Sequence, residues 1–274
     1  MKTRILSGLI MAPMLIFLYF GGRLLLIACF LVALAGIREF YNGFEKMDVK
    51  PLAGAGYLAV FGLYFIGLWT LYPSVTERGE AATWYLAWFF AATLISMLYL
   101  FAIEKRAIED GMATLTGIFY VAFLSYHVVL VERGFGTAVW FVVLTAFGTD
   151  IFAYFTGVLI GKHKLCPKIS PKKTKEGALG GVAGSMVLCG LFGFYFMGFG
   201  LAASLILGLV GSIFAQLGDL TASIFKRHMD IKDFGNLIPG HGGILDRFDS
   251  ILFTAPTVYY LLLILNGVGF ISLP

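Results

Sequence analysis

Apolar residues run almost unbroken over residues 5–21, 23–41, 53–73, 83–102, 111–131, 136–160, 178–199, 201–224 and 250–272. Most of these runs reach the ~20 residues that a helix needs to cross a hydrocarbon core about 30 Å thick. The pattern predicts an all-α polytopic membrane protein of about nine transmembrane helices. Only Gly21, Gly22 and Arg23 separate the first two runs, so these form a tight hairpin. Met1-Lys2-Thr3-Arg4 precedes the first run as in a signal peptide. No small-x-small cleavage pattern follows, so the run is read as a retained helix. Gly177, Gly180, Gly181, Gly184 and Ser185 open the seventh run at small-xxx-small spacing, which lets helix backbones approach closely in lipid. Packing within the chain is the first expectation for this stripe, and a homodimer seam is the alternative.

Composition supports the membrane reading. Of the 274 residues, 59% are hydrophobic and 13% charged, about half the charge of a soluble domain. Cys29 and Cys189 lie in apolar runs and Cys166 in a loop, with no metal or disulfide spacing. Charge placement orients the chain. With a cytoplasmic N-terminus, only Arg23, Arg78 and Arg133 of the 20 Lys and Arg fall on the far side. The positive-inside rule then puts the C-terminus outside, in an inner (cytoplasmic) membrane with the polar face toward the cytoplasm. No nucleic-acid partner is expected.

The chain reads as one membrane domain, 1–274, with no internal repeat. Residues 1–135 form a helical scaffold. Residues 136–274 form a catalytic half whose polarity gathers in the cytoplasmic loops 161–177 and 225–249.

Asp150 and Asp219 interrupt apolar runs, where a carboxylate costs about 2.5–3.5 kcal/mol on insertion scales and marks a functional candidate. Ser212, Gln216, Asp219, Ser223 and Lys226 follow at spacings of three and four, so they share one face of a helix, with Arg227 bordering it. Such a stripe must face a watery cavity or other protein. Asp246 and Asp249 share a helix face if the last helix begins near them. Asp219, Asp246 and Asp249 can then converge, either as an all-oxygen site for a hard cation such as Mg²⁺ or as a salt-bridge network with Lys226, Arg227 and Arg247. Between them, Pro239-Gly240 and Gly242-Gly243 allow positive φ, in which successive N–H groups cradle an anion. His241 could ligate metal, donate to phosphate or shuttle a proton. The loop from 162 to 177 carries six Lys. There Ser170-Pro171 reads as an N-cap and first helical residue, which would make Lys172 and Lys173 line a helix N-terminus fit for an anion. Together these features suit a substrate that is both lipid and phosphate, alongside a soluble phosphate such as a nucleotide.

The stretch SIFKRHMDIKDFGNLIPGHGGILDRFD, residues 223–249, resembles the signature of the phosphatidate cytidylyltransferase (CDP-diacylglycerol synthase) family. All its fixed positions are met: Ser223, Lys226, Arg227, Lys232, Asp233, Gly235, Pro239, His241, Gly242, Gly243, Asp246, Arg247 and Asp249. The stretches TDIFAYFTGVLIGKHKL and SPKKTKEGALGG, and Arg38-Glu39-Phe40-Tyr41, resemble further elements of that family. The resemblance implies that CTP and phosphatidic acid give CDP-diacylglycerol and pyrophosphate for phospholipid biosynthesis, with Mg²⁺, one cation or two, as cofactor. On that basis Asp219 and Asp246 are expected as metal ligands with Asp249 in support. Lys226, Arg227 and Arg247 would hold phosphates, and the turn from His241 to Gly243 would meet the triphosphate or a metal-bound water. Ser223, Lys232, Gly240, Gly242, Gly243, Ser170, Lys172, Lys173 and Thr174 are expected to bind substrate. Asp150 and Gln216 form a further polar site.

Three other classes share part of this pattern. CDP-alcohol phosphatidyltransferases carry two D-x-x-D runs, and Asp246-x-x-Asp249 occurs once here. A CTP-dependent polyprenol or lipid kinase is nearer, but the form of the 239–249 stretch favours the cytidylyltransferase. A cation-coupled transporter would need polar groups on both membrane faces and internal symmetry, and the sequence shows neither.

Overall fold

The structure is a computed structural model, and it describes residues 15–70, 81–237 and 242–271. It is helical almost throughout. The helices are α1 (Gly22–Glu45), α2 (Ala53–Trp69), α3 (Ala81–Leu98), α4 (Ile108–Gly117), α5 (Leu124–Phe135), α6 (Trp140–Ile160), α7 (Lys175–Phe196), α8 (Leu201–His228) and α9 (Leu245–Gly267). A two-stranded antiparallel hairpin of β1 (Lys164–Cys166) and β2 (Ser170–Thr174) sits between α6 and α7 in sequence. Among the described residues six helical segments are long and apolar enough to cross a membrane, while α2, at 17 residues, is shorter. The protein is an integral membrane protein.

The expected count of nine is not reached among these residues, for three reasons. Most of the run 5–21 lies outside the described residues, and the run 53–73 yields the short α2. The runs 111–131 and 136–160 fall in one helical segment, Ile108–Ile160. That segment is broken where the backbone leaves the α region at Phe135 (φ −139°, ψ 6°) and Gly136 (φ +55°). The expected turn at Gly21-Gly22 is present, with φ of +60° and +55° after a helical 15–20.

The chain divides into two compact units: Met1–Tyr126 with His228–Arg247, and His127–Arg227 with Phe248–Pro274. In the first unit Tyr41 organises the packing. Its hydroxyl donates to the Thr114 carbonyl at 2.7 Å, and Gly56 and Gly117 leave the space its ring fills. Thr114 Oγ1 accepts from Leu52 N–H at the start of α2, and Asp110 accepts from Lys50 N–H. A six-residue π-helix, Ile118–Phe123, follows Gly117 directly.

In the second unit small residues set the helix spacing. A Cβ on Gly177 would come 2.8 Å from the Ala153 carbonyl, and one on Gly181 would come 2.9 Å from the Thr149 carbonyl, so α7 lies backbone-close to α6. A Cβ on Gly208 of α8 would come 2.7 Å from Met186 Cα of α7. The glycine stripe of α7 thus serves packing within the chain, as expected. Large apolar side chains point outward instead, among them Ile151, Phe155, Leu159, Leu191 and Phe194. Buried Ser185, Ser204 and Ser212 sit inside. This inside-out polarity belongs to a protein solvated by lipid.

One local expectation fails. Ser170 and Pro171 do not open a helix; they lie in β2, with Ser170 opposite Cys166 and Thr174 opposite Lys164. The helix starts at Lys175, and its cap is Thr174, whose Oγ1 accepts from Gly177 N–H at 3.1 Å. Hairpin pairing holds Lys172 and Lys173 extended, and a hydroxyl three residues before an N–H is itself a good cap.

A Gly181→Leu chain should lose about 1–3 kcal/mol by overpacking and melt lower in detergent. Gly200→Ala, in open space, should melt with the wild type. Equal melting temperatures for all three proteins would contradict the close α6–α7 seam.

Candidate active site

The signature residues within the first unit form a clasp around two carboxylates. Glu39 of α1 is buried, and its Oε1 and Oε2 accept from Ile244 N–H (3.0 Å) and Leu245 N–H (2.9 Å). A helix leaves its first N–H groups without internal partners, so Glu39 caps α9 from 205 positions away in the chain. The carboxylate also sits at the positive end of the helix dipole. Asp246, buried in the first turn of α9, accepts from Phe234 N–H (2.8 Å) and Gly243 N–H (3.0 Å) through one oxygen, Oδ2. It closes the loop back onto its own helix.

The glycines of the signature follow from these two carboxylates. Side chains at Gly235 and Gly243 would overlap the Glu39 carboxylate. Gly242 has φ +85°, and a Cβ there would lie 2.9 Å from Asp246 Oδ2. The sequence suggested that N–H groups here cradle a phosphate, but the Gly243 N–H already binds a carboxylate of the protein. Arg247 Nε is buried without a hydrogen-bond partner among the described residues. Lys232 is exposed. Gly240 and His241 lie outside the described residues, as does Pro239.

The second unit holds a charged cavity. Its volume is about 430 Å³, and Asp150, Tyr154, Lys172, Lys173, Gln216 and Asp219 are among its lining residues. The polar stripe of α8 faces protein, as required. Gln216 Nε2 donates to the Ala178 carbonyl of α7 at 3.2 Å, Asp219 pairs with Lys173 of β2 at 2.5 Å, and Ser223 Oγ donates to Asp219 Oδ1 at 3.4 Å. Further along, Lys226 Nζ lies 4.0 Å from Asp249 of α9. Asp249 is within electrostatic reach of Asp219, Lys226 and Asp150, and Ser250 Oγ donates to Asp150 at 3.4 Å. Gly218 makes this possible, since any Cβ there would lie 2.8 Å from the Asp249 carbonyl. Thus three helices bring Asp150, Asp219 and Asp249 around two lysines. A carboxylate in low dielectric needs such partners, because an unpaired one costs several kcal/mol.

Other expected residues hold the hairpin in place. Arg227 Nε donates to the Ile169 carbonyl in the β1–β2 turn at 3.2 Å, and Thr174 is spent as the α7 cap. Glu176, which the sequence did not single out, accepts from the N–H groups of Lys162 and His163 and meets His163 Nδ1 at 2.6 Å. Its only sequence signal was an acidic residue in the first turn of a helix.

No group of three or more His, Cys, Asp and Glu side chains is close enough to hold a metal ion among the described residues. The donors nevertheless fit a hard cation by type. Among the described residues they are carboxylates and hydroxyls, with no nitrogen or sulfur ligand in the cluster, and Lys173 and Lys226 lie beside Asp219 and Asp249.

Within the second unit the cavity brings lysines and carboxylates together. The chain matches the Cytidylyltransferase family over residues 2–265. It is 36% identical over 274 residues to the phosphatidate cytidylyltransferase of Bacillus subtilis (strain 168), which covers 96% of this chain and 97% of the relative. It is 35% identical over 272 residues to the phosphatidate cytidylyltransferases of Staphylococcus saprophyticus and Staphylococcus aureus (strain COL), covering 96% of this chain and 99% of each relative. The chain belongs to the cytidylyltransferase family, and it is an enzyme.

Removing the clasp should be felt locally. Glu39→Ala should cost about 1–2 kcal/mol and accelerate hydrogen exchange over residues 242–248, while exchange in α7 stays unchanged. Wild-type protection of Ile244 and Leu245 in that variant would contradict the capping role.

Proposed function

We propose that the protein transfers the cytidylyl group of CTP to phosphatidic acid, giving CDP-diacylglycerol and pyrophosphate. Family membership supports the cytidylyl chemistry, and the relatives' names supply the lipid. The single observation that carries the reading is the Lys173–Asp219 pair in a cavity that also holds Lys172 and Asp150. Fixed cations beside carboxylates suit two phosphate substrates that repel each other.

In this reading a phosphate oxygen of the lipid attacks the α-phosphorus of CTP. The new P–O bond forms as the α–β bond breaks, and pyrophosphate leaves with the bonding electrons. The lipid phosphate is already anionic near neutral pH, so no general base is required. Catalysis rests on positioning and charge. Lys172 and Lys173 hold nucleotide phosphates. Lys226 and Arg247 are assigned to phosphate oxygens, with Arg227 supporting them through the hairpin. Asp219 and Asp249, with Asp150, would hold Mg²⁺, which supplies charge neutralisation for the crowded phosphates. Asp246 keeps the part in metal binding that its place in the signature suggests, besides its clasp. The lysine distribution supports a site on the cytoplasmic side of an inner membrane.

The test uses membranes carrying the full chain, labelled CTP and phosphatidic acid. The wild type should form a CDP-lipid, and a chelator should abolish it. Asp219→Asn should lower kcat roughly 100-fold or more without loss of folded protein. A Lys172→Ala/Lys173→Ala chain should raise the apparent KM for CTP. Wild-type turnover in Asp219→Asn would overturn the site. No CDP-lipid from any lipid phosphate acceptor would overturn the reaction.

A further inference from the structure

We infer that Tyr154 and Gln216 form the base-recognition site, taking a 4-aminopyrimidine from the nucleotide. This inference rests on the cytidylyl-transfer reading above and adds to it the groups that read the base. Among the residues that line the 430 Å³ cavity, Tyr154 is the one aromatic. It stands one turn after Asp150 on α6, and it is largely exposed. Aromatic faces beside fixed cations are how proteins hold a base whose phosphates are bound nearby, and Lys172 and Lys173 line the same cavity. The volume suits a small polar ligand.

Gln216 supplies the selectivity. A carboxamide on a membrane helix presents both a donor and an acceptor, and its orientation normally stays free. Here the Ala178 carbonyl accepts from Nε2 at 3.2 Å. That contact fixes which end of the amide is which, and it leaves Oε1 as an acceptor. Cytosine carries an exocyclic amine at C4, which donates to such an oxygen. Uracil carries a carbonyl oxygen there, so two acceptors would face each other, and a buried polar site rejects a partner that leaves its groups unpaired. Gln216 lies three residues before Asp219, about 4.5 Å along the helix. A base held by Gln216 therefore keeps its own phosphates within reach of the lysines.

The experiment measures steady-state turnover of phosphatidic acid with CTP and with UTP, using the full chain in membranes. Gln216→Met, of similar size and without hydrogen bonds, should raise the KM for CTP about tenfold and narrow the preference for CTP over UTP. Its KM for phosphatidic acid should not move. Tyr154→Ala should raise the KM for CTP to a similar extent, and Tyr154→Phe, which keeps the ring, should raise it less than Tyr154→Ala does. As a test on the unaltered chain, photo-crosslinking with 5-iodo-CTP should label the peptide that contains Tyr154. Wild-type base preference in Gln216→Met, or crosslinking only to peptides away from α6 and α8, would overturn the assignment. Those results would leave the reaction itself standing. A wild-type chain that forms no CDP-lipid would instead overturn the functional reading beneath it.

Discussion

The Glu39 carboxylate, shared between the N–H groups of Ile244 and Leu245, is the contact on which the signature depends. Without it, two backbone donors at the buried start of α9 would have no partner, and burying such groups unpaired costs about as much as losing a strong hydrogen bond. The contact joins α1 to the first turn of α9 across most of the chain. It also dictates composition. Gly235 and Gly243 are glycines because the carboxylate fills the space a side chain would take, and Gly242 is one because Asp246 does so and φ is positive. A loop that reads as a flexible turn is therefore held from inside by two acids.

The same economy of charge governs the second unit. Each of the three carboxylates has a partner from a different element: Asp219 has Lys173, Asp249 has Lys226, and Asp150 has Ser250. Glycines permit these meetings. Gly218 lets α8 and α9 approach at Asp249, while Gly177 and Gly181 let α7 lie against α6 below the hairpin. Apolar surface turns outward to lipid, so packing of small residues and pairing of polar ones must supply the internal cohesion. The groups that would bind substrate phosphates are thus also groups that hold the helices together.

Much of this was legible in the sequence. The length of the apolar runs set the helices, and the three-and-four spacing from Ser212 to Lys226 correctly predicted a face turned to protein. The shared face of Asp246 and Asp249 was conditional on the last helix beginning near them, and it begins at Leu245. Other features were hidden because they depend on partners remote in sequence. Nothing local to Glu39 marks it as a cap for Ile244; only the resemblance of Arg38-Glu39-Phe40-Tyr41 to a family element drew notice to it. Asp246 read as a metal ligand because its spacing from Asp249 was visible, while its bonds to Phe234 and Gly243 were not. Ser170-Pro171 read as a helix start because local capping rules do not include strand pairing, which here moves the cap to Thr174.

The central claim is that the nucleotide gives up its α-phosphoryl group, together with the cytidine, to a lipid phosphate. Parallel incubation of the full chain with phosphatidic acid and CTP labelled at either the α- or the γ-phosphorus tests this directly. The account predicts that the α-label enters the lipid fraction and the γ-label appears as pyrophosphate. A γ-label in the lipid, with the α-label left in CDP, would contradict it and make the protein a lipid kinase.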